Sequence, residues 1–267
     1  MIQLAKDSSN PTSGALGLVS IISPTYNCGR FIAETINSVL AQTYTNWEML
    51  IVDDCSTDNT CEIVEQFDDR RIKFYRLKKN NGAAVARNTA LKMAQGQWIA
   101  FLDSDDLWMP DKLQKQLEFM VKNNYDFSYT EYSECDENGV TKPGYISGPR
   151  HISRYGMIAY CWPGCLTVMY NREKVGLIQI SDIKKNNDYA MWLKACRKAN
   201  CHLLPEVLAI YRRGRSGSIS THSIKNLIKW HYLLFKEAEG YNNLVSSFLT
   251  FQNLVCGFFK KHHYVHK

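Results

Sequence analysis

The 267-residue sequence predicts an α/β fold built on a mostly parallel sheet flanked by helices, with a helical extension at the C-terminus. Three observations predict it. Short apolar runs alternate with stretches whose apolar residues recur at helical spacing, the pattern of right-handed βαβ units. Polar residues of particular kinds follow the runs, first Thr25-Tyr26-Asn27, then Asp53-Asp54, then Asp103-Ser104-Asp105-Asp106. In open α/β sheets, ligands bind at that end of the strands. From Thr221 onward the pattern becomes helical and basic.

Leu18-Val19-Ser20-Ile21-Ile22-Ser23 reads as a buried strand, followed by the Pro24-Thr25-Tyr26-Asn27 turn. A helix then places Phe31, Ile32, Ile36, Val39 and Leu40 on one face. Met49-Leu50-Ile51-Val52 is the second strand, and a helix over 60–67 with Cys61, Ile63, Val64 and Phe67 inward leads to a third, Ile72-Lys73-Phe74-Tyr75. An Asn80-Asn81-Gly82 turn opens an alanine-rich helix over 83–94, and Ile99-Ala100-Phe101-Leu102 is the fourth strand.

The second half is less regular. Residues 126–130 alternate like a strand, 134–150 are rich in turn formers, and 164–170 are another strand candidate. Asn187-Asp188 opens a helix with Met191, Trp192 and Ala195 inward, and Leu208-Ala209-Ile210-Tyr211 is a short strand. After it, Arg212-Arg213-Gly214-Arg215 is either a phosphate-binding loop or a solvated charge run.

Composition narrows the class. At 45% hydrophobic, the chain can bury one large core or a main domain with an appendage. No uninterrupted apolar stretch is long enough to span a bilayer, and the polar opening 1–17 has no secretory pattern. Nine cysteines, an odd number scattered through apolar segments, argue against a disulfide framework and for a reducing cytoplasmic setting. The net charge of +6 is concentrated in the tail, so a nucleic-acid partner is not expected.

Three carboxylates within four positions at a strand end suggest a cation site, because like charges repel unless something neutralises them. An acidic turn capping the next helix is the competing explanation. An aromatic ring, a carboxylate and a metal-binding acid pair at three neighbouring strand ends suit a nucleoside diphosphate. No Walker-type or G-x-G-x-x-G stretch follows the first strand, so the P-loop and dinucleotide readings lose their main support.

Pro24-Thr25-Tyr26-Asn27, Val52-Asp53-Asp54-Cys55-Ser56-Thr57-Asp58, Asn81-Gly82-Ala83-Ala84-Val85-Ala86-Arg87-Asn88 and Phe101-Leu102-Asp103-Ser104-Asp105-Asp106 together resemble the family 2 inverting glycosyltransferases of bacterial cell-surface polysaccharide synthesis. Asn187-Asp188-Tyr189 with Trp192 resembles the family's Glu-Asp element, with Asn187 departing from its usual Glu. Tyr211-Arg212 and Ser218-Ile219-Ser220 resemble the loop that folds over the donor.

The resemblance implies a GT-A fold, a Rossmann-like mostly parallel sheet, and a metal-dependent transfer from a nucleotide-diphosphate sugar, favouring UDP. The domain expectation is a disordered segment 1-17, a GT-A domain 18-220 and a C-terminal helical extension 221-267. Within the domain, 18-120 would bind the nucleotide-sugar and 121-220 the acceptor. Pro24, Tyr26, Asp54, Arg87, Asp103, Ser104 and Arg212 would contact the nucleotide-sugar. Tyr26 would pack on the base, Asp54 would accept from its edge, and Arg87 would anchor the nucleotide side or its acidic neighbours. Asp105, with Asp103, would hold Mn²⁺ or Mg²⁺.

An acceptor hydroxyl would displace the nucleoside diphosphate in one step, with inversion. One proton-transfer role remains, and Asp188 is its candidate, with a helix cap or first-turn acid as the alternative and Asp106 or Asp182 in reserve. A sugar nucleotidyltransferase and a non-catalytic nucleotide-sugar-binding protein are the competing functions. The tail, with Phe248, Phe251, Phe258 and Phe259 before Lys260-Lys261-His262-His263, suits an amphipathic helix on an anionic membrane or one packed on the domain or a second copy of the chain. A lipid-linked acceptor would make membrane proximity useful.

Overall fold

The computed structural model describes residues 16–180, 183, 185–214 and 224–266. The expectations for the first fifteen residues, Asp182, Arg215 and 218–220 lie outside the described residues. The first half runs β1 (Val19–Thr25), α1 (Ile32–Leu40), β2 (Trp47–Asp53), α2 (Thr60–Val64), β3 (Ile72–Arg76), α3 (Ala83–Met93) and β4 (Trp98–Phe101). The rest comprises β5 (Leu107–Trp108), α4 (Lys112–Asn123), β6 (Phe127–Cys135), β7 (Tyr145–Ile146), β8 (His151–Ile152), α5 (Arg154–Ala159), β9 (Met169–Asn171), α6 (Arg172–Val175), α7 (Asn187–Ala195) and β10 (Cys201–Arg212). Then come α8 (Ile224–Leu233), a π-helical turn Leu234–Ala238, α9 (Asn243–His263) and β11 (Val265–His266).

The central strands are parallel in the order β4-β1-β2-β3, and β9 continues the sheet antiparallel to β4. Because strand side chains alternate between faces, each strand feeds two cores. Ile22, Leu50, Val52, Ile99 and Phe101 pack with Ala86, Ala90 and Leu91 of α3 and with Tyr189 to Leu193 of α7. Val19, Ile21, Met49, Ile51 and Ala100 face Ile32, Ile36 and Val39 of α1 and Leu113 and Leu117 of α4. The result is three layers, with α3 and α7 side by side on one face.

Several sequence expectations are corrected. The 60–67 helix stops at Val64. The 164–170 candidate is a 3-10 turn, Cys165–Thr167, followed by the short β9. The 126–130 strand extends to Cys135, and β5, β7 and β8 were not anticipated. The short strand at 208–211 is the end of the twelve-residue β10. At Pro205 the strand continues with register shifts between Leu204 and Val207 and between Val207 and Ala209, the kind of irregularity that accommodates a proline.

The tail packs on the domain. Leu249 of α9 joins the α3/α7 core, and β11 pairs with β7 at the sheet edge. Among the described residues no helix is long and apolar enough to cross a membrane.

Candidate active site

Side-chain hydrogen bonds from the β2 turn hold the turn after β1. Asn27 donates its N–H to Ser56 Oγ (2.8 Å), Cys28 to Thr60 Oγ1 (2.8 Å) and Gly29 to Asp58 Oδ2 (3.0 Å). Asn27 and Cys55 both adopt left-handed backbone angles, φ 46 and 66, an uncommon conformation concentrated at two adjacent strand ends. Pro24 is buried beside Val52, whereas Tyr26 next to this clamp is 45% exposed, a ring presented to solvent on a rigid base.

The two acids ending β2 have different jobs. Asp53 is fully buried and accepts from Ser56 N (2.9 Å) and Ser56 Oγ, which shapes its own turn. Asp54 accepts from Asn81 N (2.8 Å) and Gly82 N (2.7 Å) and so ties β2 to the start of α3. Gly82 has φ 90, a conformation open to glycine, and a carboxylate at a helix N-terminus is favoured by the helix dipole.

α3 then carries the link to the rest of the site. Arg87 is buried and donates to Asp103 Oδ1 (2.5 Å) beyond β4 and to Asn187 Oδ1 (3.3 Å) at the start of α7. Burial opposes its charge, but Asp103, Cys165 and Asp188 more than compensate and raise its pKa, so the guanidinium stays charged. The next residue, Asn88, exchanges two hydrogen bonds with the Ile180 backbone (3.0 and 2.7 Å).

Asp188 lies in the first turn of α7. Trp192, buried, holds that helix on the sheet through edge contact with Phe101 (5.1 Å) and a tilted contact with Phe127 (5.9 Å). Asp188 Oδ1 accepts the Tyr189 N–H (2.8 Å), and Asn187 Oδ1 accepts the Asp188 N–H (3.0 Å). The N-cap position itself belongs to Asn186, which is left-handed and makes no side-chain cap bond. Burial raises the Asp188 pKa above the ordinary carboxylate value while Arg87 partly offsets it, and the nearby Asp103 adds to the rise.

Arg212, expected to contact the nucleotide-sugar, makes its hydrogen bonds within the protein. It is 2% exposed and donates from Nε to Asp105 O (2.9 Å), from Nη1 to Glu137 O (3.3 Å) and from Nη2 to Glu34 Oε2 (2.5 Å), with its charge over the Phe31 ring. Its backbone N–H donates to Asp106 Oδ1 (2.9 Å). The pair therefore locks β10 to the acidic turn, and Asp106 is buried as a structural acid. Arg213 forks onto Glu134 at the surface.

Comparison with known proteins decides the family. The profile for Glycosyl transferase family 2 matches residues 20–175. This chain is a family 2 glycosyltransferase. The glycosyltransferase is 44% identical over 225 residues to the putative teichuronic acid biosynthesis glycosyltransferase TuaG of Bacillus subtilis, covering 83% of this chain and 88% of that one. It is 39% identical over 252 residues to the Escherichia coli UDP-Glc:alpha-D-GlcNAc-diphosphoundecaprenol beta-1,3-glucosyltransferase WfgD, covering 94% and 97%. Among solved structures, S. aureus TarS 1-349 in complex with UDP-GlcNAc superimposes with a TM-score of 0.70 at 23% identity, covering 88% of this chain and 71% of that one. The mannosyltransferase PcManGT of Pyrobaculum calidifontis, in complex with GDP-Man and Mn2+, gives 0.62 at 19%, covering 93% and 77%. These structures share the GT-A fold of the glycosyltransferase.

In this glycosyltransferase, hydrogen bonds join Asp103 to Arg87 and Arg87 to Asn187, which neighbours Asp188, while Asp54 and Tyr26 sit on adjoining strand ends. Ser104 is buried in the acidic turn. Cys165, which forms a C-x-x-x-C pair with Cys161 but has no second pair at metal-ligand spacing, lies close enough to Asp103, Arg87 and Asp188 to feel all three charges. Sequence reasoning missed His231, whose Nδ1 is 3.4 Å from the Asn186 amide. It belongs to no local motif, so no pattern signalled it. A shallow cleft lined by Leu18, Gln95, Gly96, Gln97, Arg172 and Glu173 lies at the opposite end of β1 and β4, away from these acids.

A magnesium- or manganese-type ion takes hard oxygen ligands, commonly one or two carboxylates completed by substrate phosphates. Asp103 and Asp105 offer such oxygens, and the Asp103 side chain is still 34% exposed. Among the described residues no group of three or more His, Cys, Asp or Glu could hold a metal. Two carboxylates suit a cation whose remaining ligands come from substrate phosphates.

Proposed function

We propose that this glycosyltransferase moves a sugar from a UDP-activated donor to a lipid-linked glycan in bacterial cell-surface polysaccharide synthesis, at the cytoplasmic face of the membrane. Residues 18-120 hold the donor, 121-220 receive the acceptor, and 221-267 form an extension. The observation that carries it is the Asp103–Arg87–Asn187 chain, which sets a carboxylate with a raised pKa, Asp188, near an acidic strand end. The WfgD relative is named for UDP-Glc and a diphosphoundecaprenol acceptor, and TarS binds UDP-GlcNAc, which supports the donor and acceptor classes.

Tyr26 stacks on the base from its rigid turn, and Asp54, held by two N–H groups, keeps unused lone pairs for the base edge. Asp105 and Asp103 would hold Mn²⁺ or Mg²⁺, which supplies charge neutralisation to the departing nucleoside diphosphate. Arg87 keeps Asp103 in place. The acceptor hydroxyl attacks the anomeric carbon as the bond to the diphosphate breaks, and its proton passes to Oδ2 of Asp188 while Oδ1 stays on the Tyr189 N–H. One displacement inverts the configuration.

Thermal shift with UDP-sugars, with and without Mn²⁺, tests the donor side, because ligand binding to the folded state raises apparent stability. The expected result is a metal-dependent shift that Asp105→Ala abolishes. An equal shift in that variant would remove Asp105 from the site.

A further inference from the structure

α9 is turned inside out. Its domain-facing side carries Ser246, Leu249, Thr250 and Asn253, all buried, whereas Leu244 is 84%, Phe248 65%, Phe251 66% and Phe258 64% exposed. The outward residues recur at positions 244, 248, 251, 255 and 258, a spacing that lines one face along most of the 21-residue helix, about 30 Å.

The polar side is well used. Thr250 Oγ1 donates to Ser246 O (2.7 Å), and the Asn253 amide donates to Ala159 O (3.2 Å) and Tyr189 Oη (2.9 Å). A Cβ at Gly257 would lie 3.1 Å from the Tyr160 ring, so the glycine permits close packing there. With β11 tethering its far end, α9 cannot roll its phenylalanines inward without breaking the Asn253 bonds to the domain. The exposed face is therefore a fixed feature of the fold.

Charge says what covers it. α8 and α9 contain no Asp or Glu, while Lys225, Lys229, Lys261, His262 and His263 are exposed on them, and Leu227 and Ile228 of α8 add exposed apolar area. Lys260 is not part of this set, since its ammonium donates to Trp162 O (2.8 Å) and burial pushes its pKa down to about 8. A second copy meeting these helices face to face would set cations against cations, with Glu237 in the turn between them the one exposed acid of that segment, whereas anionic lipid matches both the phenylalanines and the bases.

We infer that the outward face of α9, with its basic neighbours on α8, docks on an anionic lipid surface. The inference rests on the lipid-linked acceptor reading and names the surface that would bring the domain to it.

Co-sedimentation of the full chain with vesicles tests it directly. Vesicles of phosphatidylglycerol and phosphatidylcholine should bind the protein, pure phosphatidylcholine much less, and added salt should weaken the binding. Combining Phe248→Ser, Phe251→Ser and Phe258→Ser should lower vesicle binding roughly tenfold or more at unchanged melting temperature. Lys229→Glu with Lys261→Glu, which spares the apolar face, should remove the preference for anionic lipid. A parent that ignores vesicles, or a triple variant that binds like the parent, overturns the inference. So does a parent dimer, seen by light scattering, that the triple variant dissolves, because the face then belongs to a second copy. Transfer to a soluble acceptor, run in parallel, separates the two readings: vesicle binding can fail while UDP-sugar turnover persists.

Discussion

The Asn253 amide on α9 donates to the hydroxyl of Tyr189 at 2.9 Å, and Tyr189 directly follows Asp188 in α7. The same hydroxyl reaches Met157 O (2.8 Å) and Ile158 O (3.0 Å), so one buried phenol joins α9, α5 and α7. The C-terminal helix thus braces the first turn of α7.

Removing that brace should cost stability. Asn253→Leu leaves buried polar groups on both partners short of a donor, an expected loss of about 1–3 kcal/mol in urea unfolding. Tyr189→Phe should lose a similar amount, and the double variant less than the sum by about 0.5 kcal/mol or more, since both changes break one shared bond. A chain ending at residue 243 should be strongly destabilised, because Leu249 leaves the core and β11 leaves the sheet.

Asp188→Asn separates base from first-turn acid. A lost base should lower kcat roughly 100-fold or more with donor affinity retained. The stability effect has a definite sign. A carboxyl whose pKa is raised on folding binds protons more tightly in the native state, so stability falls as pH rises from its unfolded to its folded pKa. The asparagine variant escapes that loss and should melt no lower than the parent at neutral pH. The parent's kcat should fall on the acid side with a pKa above the ordinary carboxylate value.

Arg87 should control both properties at once. Arg87→Met strips Asp103 of a charged hydrogen bond, an expected cost of about 1.5–3 kcal/mol. It also removes the cation that holds the Asp188 pKa down, so the acid limb of the kcat profile should move to higher pH. An unmoved limb would show that Arg87 does not act on Asp188.

Tyr26→Ala tests the base platform. The ring is 45% exposed, so melting should be unchanged. UDP binding measured by calorimetry should weaken by about 1–3 kcal/mol, the usual worth of a base stacked on an aromatic side chain.

The parallel half of the sheet was legible because its signals are local. Alternation in 19–22, 49–52 and 99–102 serves two cores through adjacent residues, and Asn80-Asn81-Gly82 marks a helix start within a few positions. The second half resisted because β5, β7, β8 and β9 are only two or three residues long and because β10 runs past Pro205 through register shifts that depend on its pairing with β6.

The acidic turn, the turn that carries Tyr26 and the Asn187-Asp188 helix start follow from residue order, since chemistry type and spacing are written along the chain. Which acid serves which purpose depends on partners far away in sequence. Asp106 becomes structural because Arg212 arrives from 106 positions on, and Asp103 is tied down because α3 delivers Arg87 beside it. Likewise the phenylalanines of α9 mark an apolar stripe in either setting. Their outward direction follows from where Asn253 and Gly257 find room, because a helix face is set by what packs against its opposite side.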